Sequence, residues 1–174
     1  MKFRDLTADE IEVRVSRVTN AGVELLLYKD ARCDMRILDE TVGAENWTCS
    51  YYEHKNTLFC SVSICVNRGD GLAEWVSKDN AGAPSNMEAQ KGEASDAFKR
   101  ACFCWGIGRE LYTAPRIFVY ADKCSKIQQG KNGNMQCYDR FRVAKVAIED
   151  GRIVGIRIVN DSNGGAVAFS WKEG

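Results

Sequence analysis

Residues 58–66 alternate strictly, with Leu58, Cys60, Val62, Ile64 and Val66 at one set of positions and Phe59, Ser61, Ser63 and Cys65 at the other. A period of two sends the two sets to opposite faces of a strand, so the run predicts a sheet with one buried face. Such a strand needs partners. Asn67-Arg68-Gly69-Asp70-Gly71 is turn chemistry that returns residues 72–79 antiparallel, and residues 47–53 supply the natural third strand. Ala81-Gly82-Ala83-Pro84 breaks the sheet, and Ser85-Asn86-Met87-Glu88 reads as a capping box that opens a helix over residues 86–105. Along it Ala94, Ala97, Phe98, Ala101, Cys102 and Trp105 recur at helical spacing and form one continuous apolar face. Gly106 and Gly108 supply its stop, residues 109–112 add one turn, and Pro115 closes the region. The fold class is α+β, an antiparallel β-meander packed on a long α-helix.

The flanks are read the same way. Thr7-Ala8-Asp9-Glu10 is a capping-box pattern, and Ile11, Val15 and Val18 follow it at i, i+4 and i+7, which predicts a short N-terminal helix. Residues 23–29 are a β-like run. Asp34 is the expected cap of a second helix carrying Met35, Ile37, Leu38 and Val42 and ended by Gly43. Near the C-terminus, residues 141–148 and 152–159 flank a Glu149-Asp150-Gly151 turn, and residues 166–171 follow Asn163-Gly164-Gly165. Residues 124–136, rich in Lys, Gln, Asn and Gly, read as a mobile loop. The expected division is a core over residues 1–115 and a β-rich extension over residues 116–174, packed on the core.

Several function classes are excluded by what the chain carries. Lys and Arg number 24, as do Asp and Glu, so the net charge is zero and the chain is no wholesale basic protein, although a basic groove balanced by acids is permitted. There is no GxxxxGK[ST] phosphate loop, and Gly106-Ile107-Gly108 follows a helix where a dinucleotide fingerprint would open one. The eight cysteines contain no CxxC pair and the chain has one histidine, so the spacing predicts no metal site and no cofactor. The thiols read as reduced apolar fillers, and His54 as a surface residue at a strand end. The chain is expected to be no enzyme. No apolar run is long enough to span a membrane and the start lacks the apolar run of a signal peptide, so a cytoplasmic location is expected, with no membrane partner.

The helix over residues 86–105 carries the functional information. At about 100° per residue, Lys99 and Arg100 lie roughly 130° from the centre of the apolar stripe, one on each side, and Phe103 falls opposite it between them. The residues alone leave two readings open. The face contacts phosphates and stacks a base, or it is a solvated Lys-Arg pair with an aromatic buried at an interface.

The run from Lys91-Gly92-Glu93-Ala94-Ser95-Asp96-Ala97-Phe98-Lys99-Arg100-Ala101 to Cys102-Phe103-Cys104-Trp105-Gly106-Ile107-Gly108-Arg109-Glu110-Leu111-Tyr112 resembles the signature helix of the Rad-fifty-two family of single-strand annealing proteins, and most its short phage and prophage recombinases. The order upstream is similar too: Asp30-Ala31-Arg32, Arg36-Ile37-Leu38-Asp39-Glu40, Val42-Gly43-Ala44-Glu45-Asn46-Trp47, the alternating strand and the Asp70-Gly71 turn. The resemblance covers residues 28–112. It implies a closed homo-oligomeric ring with single-stranded DNA in an outer basic groove, used in recombination and double-strand break repair, with a single-strand-binding protein as a further partner. It also implies roles by position. Lys99 and Arg100 match the pair that grips the backbone in the inner groove, Arg32 matches an arginine of the same site with Arg36 as its competitor, and Lys55 falls at a second, outer DNA site. Phe103 stands where eukaryotic members carry another basic residue. Phosphate contacts hold a strand without reading it and leave the bases to pair, and stacking worth about 1.4 kcal/mol per step drives duplex formation without nucleotide hydrolysis. The alternative from a neighbouring class is a protein that coats single strands without annealing them, and a further one is a structural oligomer in which Lys99 and Arg100 bridge subunits.

Overall fold

The computed structural model describes residues 1–67, 69, 71–83 and 89–174. It is α+β with antiparallel sheets and forms two compact units, residues 1–4 with 30–108 and residues 5–29 with 109–174. These units do not coincide with a division at residue 115. The second unit draws on both ends of the chain because its N-terminal hairpin pairs with a strand that follows residue 115.

That hairpin is β1 (Glu12–Thr19) and β2 (Gly22–Tyr28), and it replaces the expected N-terminal helix. Only Ala8–Glu10 turns helically, as a single 3₁₀ turn in which the Glu10 carboxylate accepts the Thr7 N–H at 3.0 Å. The physical reason lies at Ser16. The β1–β2 register shifts between Val15 and Arg17, so Val13 and Val15 share a face at spacing two while Val18 rejoins it at spacing three. One bulge residue thus turns a period-2 pattern into a counterfeit of helical spacing.

The first unit continues with α1 (Ala31–Val42). Its cap is Asp30, whose carboxylate accepts the Cys33 N–H at 2.7 Å, and Asp34, the expected cap, is instead buried within the helix. Cys33, Ile37 and Leu38 form the buried face. Gly43 ends the helix at φ +86°, a conformation that disfavours side chains, with its N–H on the Asp39 carbonyl at 3.0 Å. Then come β3 (Trp47–His54), β4 (Thr57–Asn67) and β5 (Ala73–Ala81), a meander in the order β3-β4-β5, as the alternation predicts. Arg68 and Asp70 of the β4–β5 turn, and the capping box at residues 85–88, lie outside the described residues.

Helix α2 (Ala89–Trp105) packs on β4 and β5. Cys60, Val62 and Ile64 of β4 and Ala97, Phe98, Ala101 and Cys102 of α2 are all within 1% of complete burial. The approach is close at Gly82, where a Cβ would fall 2.3 Å from the Glu93 carbonyl oxygen, so only glycine fits without a backbone shift. At the other end the Trp105 indole N–H donates to the Val62 carbonyl at 2.9 Å.

In the second unit a 3₁₀ turn over Arg109–Thr113 leads to β6 (Ile117–Tyr120), which pairs with β2 to complete a sheet β1-β2-β6. The loop expected over residues 124–136 is largely a small hairpin, β7 (Ile127–Gln129) and β8 (Met135–Cys137). Strands β9 (Phe141–Glu149), β10 (Arg152–Asn160) and β11 (Ala166–Lys172) form a meander in the order β11-β10-β9. Ile153, Ile156 and Ile158 of β10 are buried.

Candidate nucleic-acid interface

The cations of α2 sit where helical geometry requires. Positions 97, 98, 101 and 102 are consumed by the core, which leaves Arg100 exposed and Lys99 half-buried. Arg100 is held by an ion pair on its own helix, Nε to Asp96 Oδ2 at 2.8 Å, and the same oxygen accepts the Ala83 N–H at 3.0 Å. That pair is worth only about 0.3–0.5 kcal/mol at such exposure and uses one of the five guanidinium N–H donors. It orients the side chain without exhausting its capacity for a phosphate. Phe103 is half-buried, so its ring is not the fully exposed platform that its angle on the helix implies.

Arg32 and Arg36 are both exposed on α1. At a spacing of four they are neighbours on one helix face, so the two competitors for a single site lie within reach of the same phosphate run. Helices α1 and α2 touch within the first unit, which brings the elements bearing the four cations together. Lys55 lies apart, at the tip of the β3–β4 hairpin. There Lys55 and Asn56 take φ of +51° and +58°, the conformation of a two-residue turn whose twist matches the flanking strands. The tip is exposed, and so is His54 beside it.

One cation that sequence reasoning passed over has a structural task. Lys78 of β5 donates through Nζ to the Cys104 carbonyl at 2.9 Å and lies 4.6 Å from the centre of the Trp105 ring. A positive charge on the last carbonyls of α2 complements the helix dipole. The signal was present, since Val76, Lys78 and Asn80 occupy the α2-facing positions of a period-2 strand. In the second unit the exposed Arg116, Arg142 and Arg152 are paired with Glu24, Asp161 and Glu173 at 2.9, 2.9 and 3.4 Å.

Two thiols of the first unit, Cys49 and Cys60, are shifted against activation. Burial pushes Cys60 up to about 12 and raises Cys49, away from the range in which a thiolate attacks at neutral pH. In the second unit, Cys124, Cys137 and Asp139 offer ligand atoms that all lie within 4.8 Å of one another, a grouping invisible to the CxxC criterion.

With this geometry in view, the chain matches a family model, the Rad52/22 family double-strand break repair protein, over residues 4–129. The chain belongs to that family, and so to the proteins of DNA recombination and repair by single-strand annealing, a family of annealing proteins and not of conventional enzymes. The match reaches beyond the motifs over residues 28–112 at both ends, taking in β1, β2, β6 and β7. Among curated proteins, none matches the chain.

Proposed function

We propose that this chain is a phage-type single-strand annealing protein that holds single-stranded DNA by its backbone and pairs complementary strands without ATP. The observation that carries the reading is the placement of Lys99 and Arg100 off the buried stripe of α2, within the span of the family match. Arg32 and Arg36 extend the phosphate track along α1, Lys55 supplies a second contact at the hairpin tip, and Phe103 contributes a partly shielded ring. Contacts of this kind grip the sugar-phosphate chain and leave base edges free to pair. The protein works in the cytoplasm, with a single-strand-binding protein as a further partner.

Complementary oligonucleotides mixed with the protein are expected to anneal faster than in its absence, at the same rate with and without ATP. A fluorescence-quenching annealing assay measures this. A strict requirement for ATP would overturn the mechanism, and tight binding without acceleration would move the protein to the passive strand-coating class.

The working form is a closed ring of identical subunits. Among the described residues β3 and β5 are the two edges of their sheet, and β9, β10 and β11 pair only with one another. Open edges of that length invite pairing with a second copy, and a head-to-tail interface that closes by rotation removes them. Light scattering across a dilution series is expected to give a mass many times that of the 19.4 kDa chain. A monomer mass at every concentration would defeat the ring.

A further inference from the structure

The β7–β8 hairpin brings together three side chains that lie far apart in the alphabet of short metal motifs. Ile127 pairs with Cys137 at its open end, so Cys124, three residues before the first strand's start, and Asp139, two residues beyond the second strand's end, meet just outside it. Their ligand atoms lie within 4.8 Å of one another, and none of the three residues is exposed. A tetrahedral zinc with sulfur ligands at about 2.3 Å sets those sulfurs about 3.8 Å apart, so closure onto an ion needs movements of about 1 Å or less.

The surroundings are those of an oriented ligand set. Asp139 Oδ2 accepts the Ser125 N–H at 2.6 Å and the Asn160 side-chain N–H at 2.7 Å. Asn160 is completely buried, and its remaining bonds run to the Lys123 carbonyl and from the Ser162 N–H. A buried amide that ties the carboxylate to the end of β10 and to the residue before Cys124 is the kind of outer support that metal ligands carry. The Asp139 N–H also points to the Cys137 sulfur. Two donors on Oδ2 do not exhaust a carboxylate, which has about four lone-pair sites.

We infer that Cys124, Cys137 and Asp139 form a site for a zinc ion, with water as the fourth ligand. Two thiolates select a soft or borderline metal over magnesium or calcium, and two sulfurs with one oxygen suit tetrahedral zinc. Binding displaces the two thiol protons to solvent, with no change of oxidation state. The ion clips the hairpin to β10, in the second unit. The inference is independent of the annealing reading, since no residue of the proposed DNA track takes part.

Cobalt(II) added to the full-length, reduced, metal-stripped chain is expected to bind one ion per chain, with sulfur-to-cobalt charge-transfer absorption and the strong visible bands of a tetrahedral site, both erased by zinc. C124S and C137S should each abolish the charge-transfer signal. D139N should weaken binding by at least about 10–100-fold, since losing a direct ligand costs no less than losing the outer support for which that range holds. Should a serine variant fail to fold, alkylation of the wild-type chain with iodoacetamide decides: zinc should slow labelling at Cys124 and Cys137 at least about tenfold while leaving Cys65 and Cys104 unchanged. Absence of charge transfer, binding retained in the double serine variant, protection at Cys49 and Cys60 instead, or formation of a Cys124–Cys137 disulfide with no metal uptake would each overturn the site.

Discussion

Replacing Lys99 and Arg100 together by alanine is expected to weaken single-stranded DNA binding by about 25-fold per bound subunit at 0.1 M salt. The figure follows from counterion release, in which each phosphate contact to a single strand contributes a slope of about −0.7 in log affinity against log salt, so two contacts amount to about 1.4 decades at 0.1 M. The slope itself should become shallower by the same 1.4. Stability should hardly change, because both side chains leave the buried stripe of α2 intact and the Arg100–Asp96 pair is worth only a few tenths of a kcal/mol. Fluorescence anisotropy across a salt series measures both quantities, and light scattering confirms that the oligomer survives. Unchanged affinity and slope in the double variant would remove these residues from the interface.

Phe98→Ala is expected to do the opposite, destabilising the scaffold without touching a phosphate contact. Phe98 is 1% exposed, and its ring centre lies 6.1 Å from that of Trp47 at a tilt of 42°. Truncating a buried phenylalanine costs about 3–5 kcal/mol through lost transfer energy and the cavity left behind, against a total stability of about 5–15 kcal/mol. For a chain of this size the melting temperature should fall by roughly 10 °C. Thermal unfolding followed by tryptophan emission reads the change, since Trp47 and Trp105 both belong to the first unit. A shift below about 2 °C would mean that α2 is not anchored through this ring. The two variants together separate the helix face that holds the fold from the face assigned to DNA.

Much of this was legible in the chain, for identifiable reasons. The alternation over residues 58–66 admits one period, and its buried positions Cys60, Val62 and Ile64 emerge as read. The outward direction of Lys99 and Arg100 was legible too, because a helix angle depends only on spacing once the core stripe is known. Asp30 and Asp34 differ in a way that spacing does not resolve. Either carboxylate can cap a helix, and the choice fell to Asp30 when Asp34 was drawn into the buried side of α1.

What the sequence by itself determined was local: the period of each strongly patterned segment, the turn residues between them, and the faces that must be polar or apolar. What only the tertiary structure decided was pairing. Residues 11–18 fit two periods until β2 bonded to them and absorbed the bulge at Ser16, and residues 124–136 carried no pattern strong enough to announce β7 and β8. Lys78 became the cap of α2, and Cys124, Cys137 and Asp139 became one cluster, only through strand register and hairpin closure. The physical reason is common to all of these. Periodicity records which way a side chain points along its own segment, whereas a contact between distant segments depends on which backbone donors and acceptors meet, and no single segment carries that information.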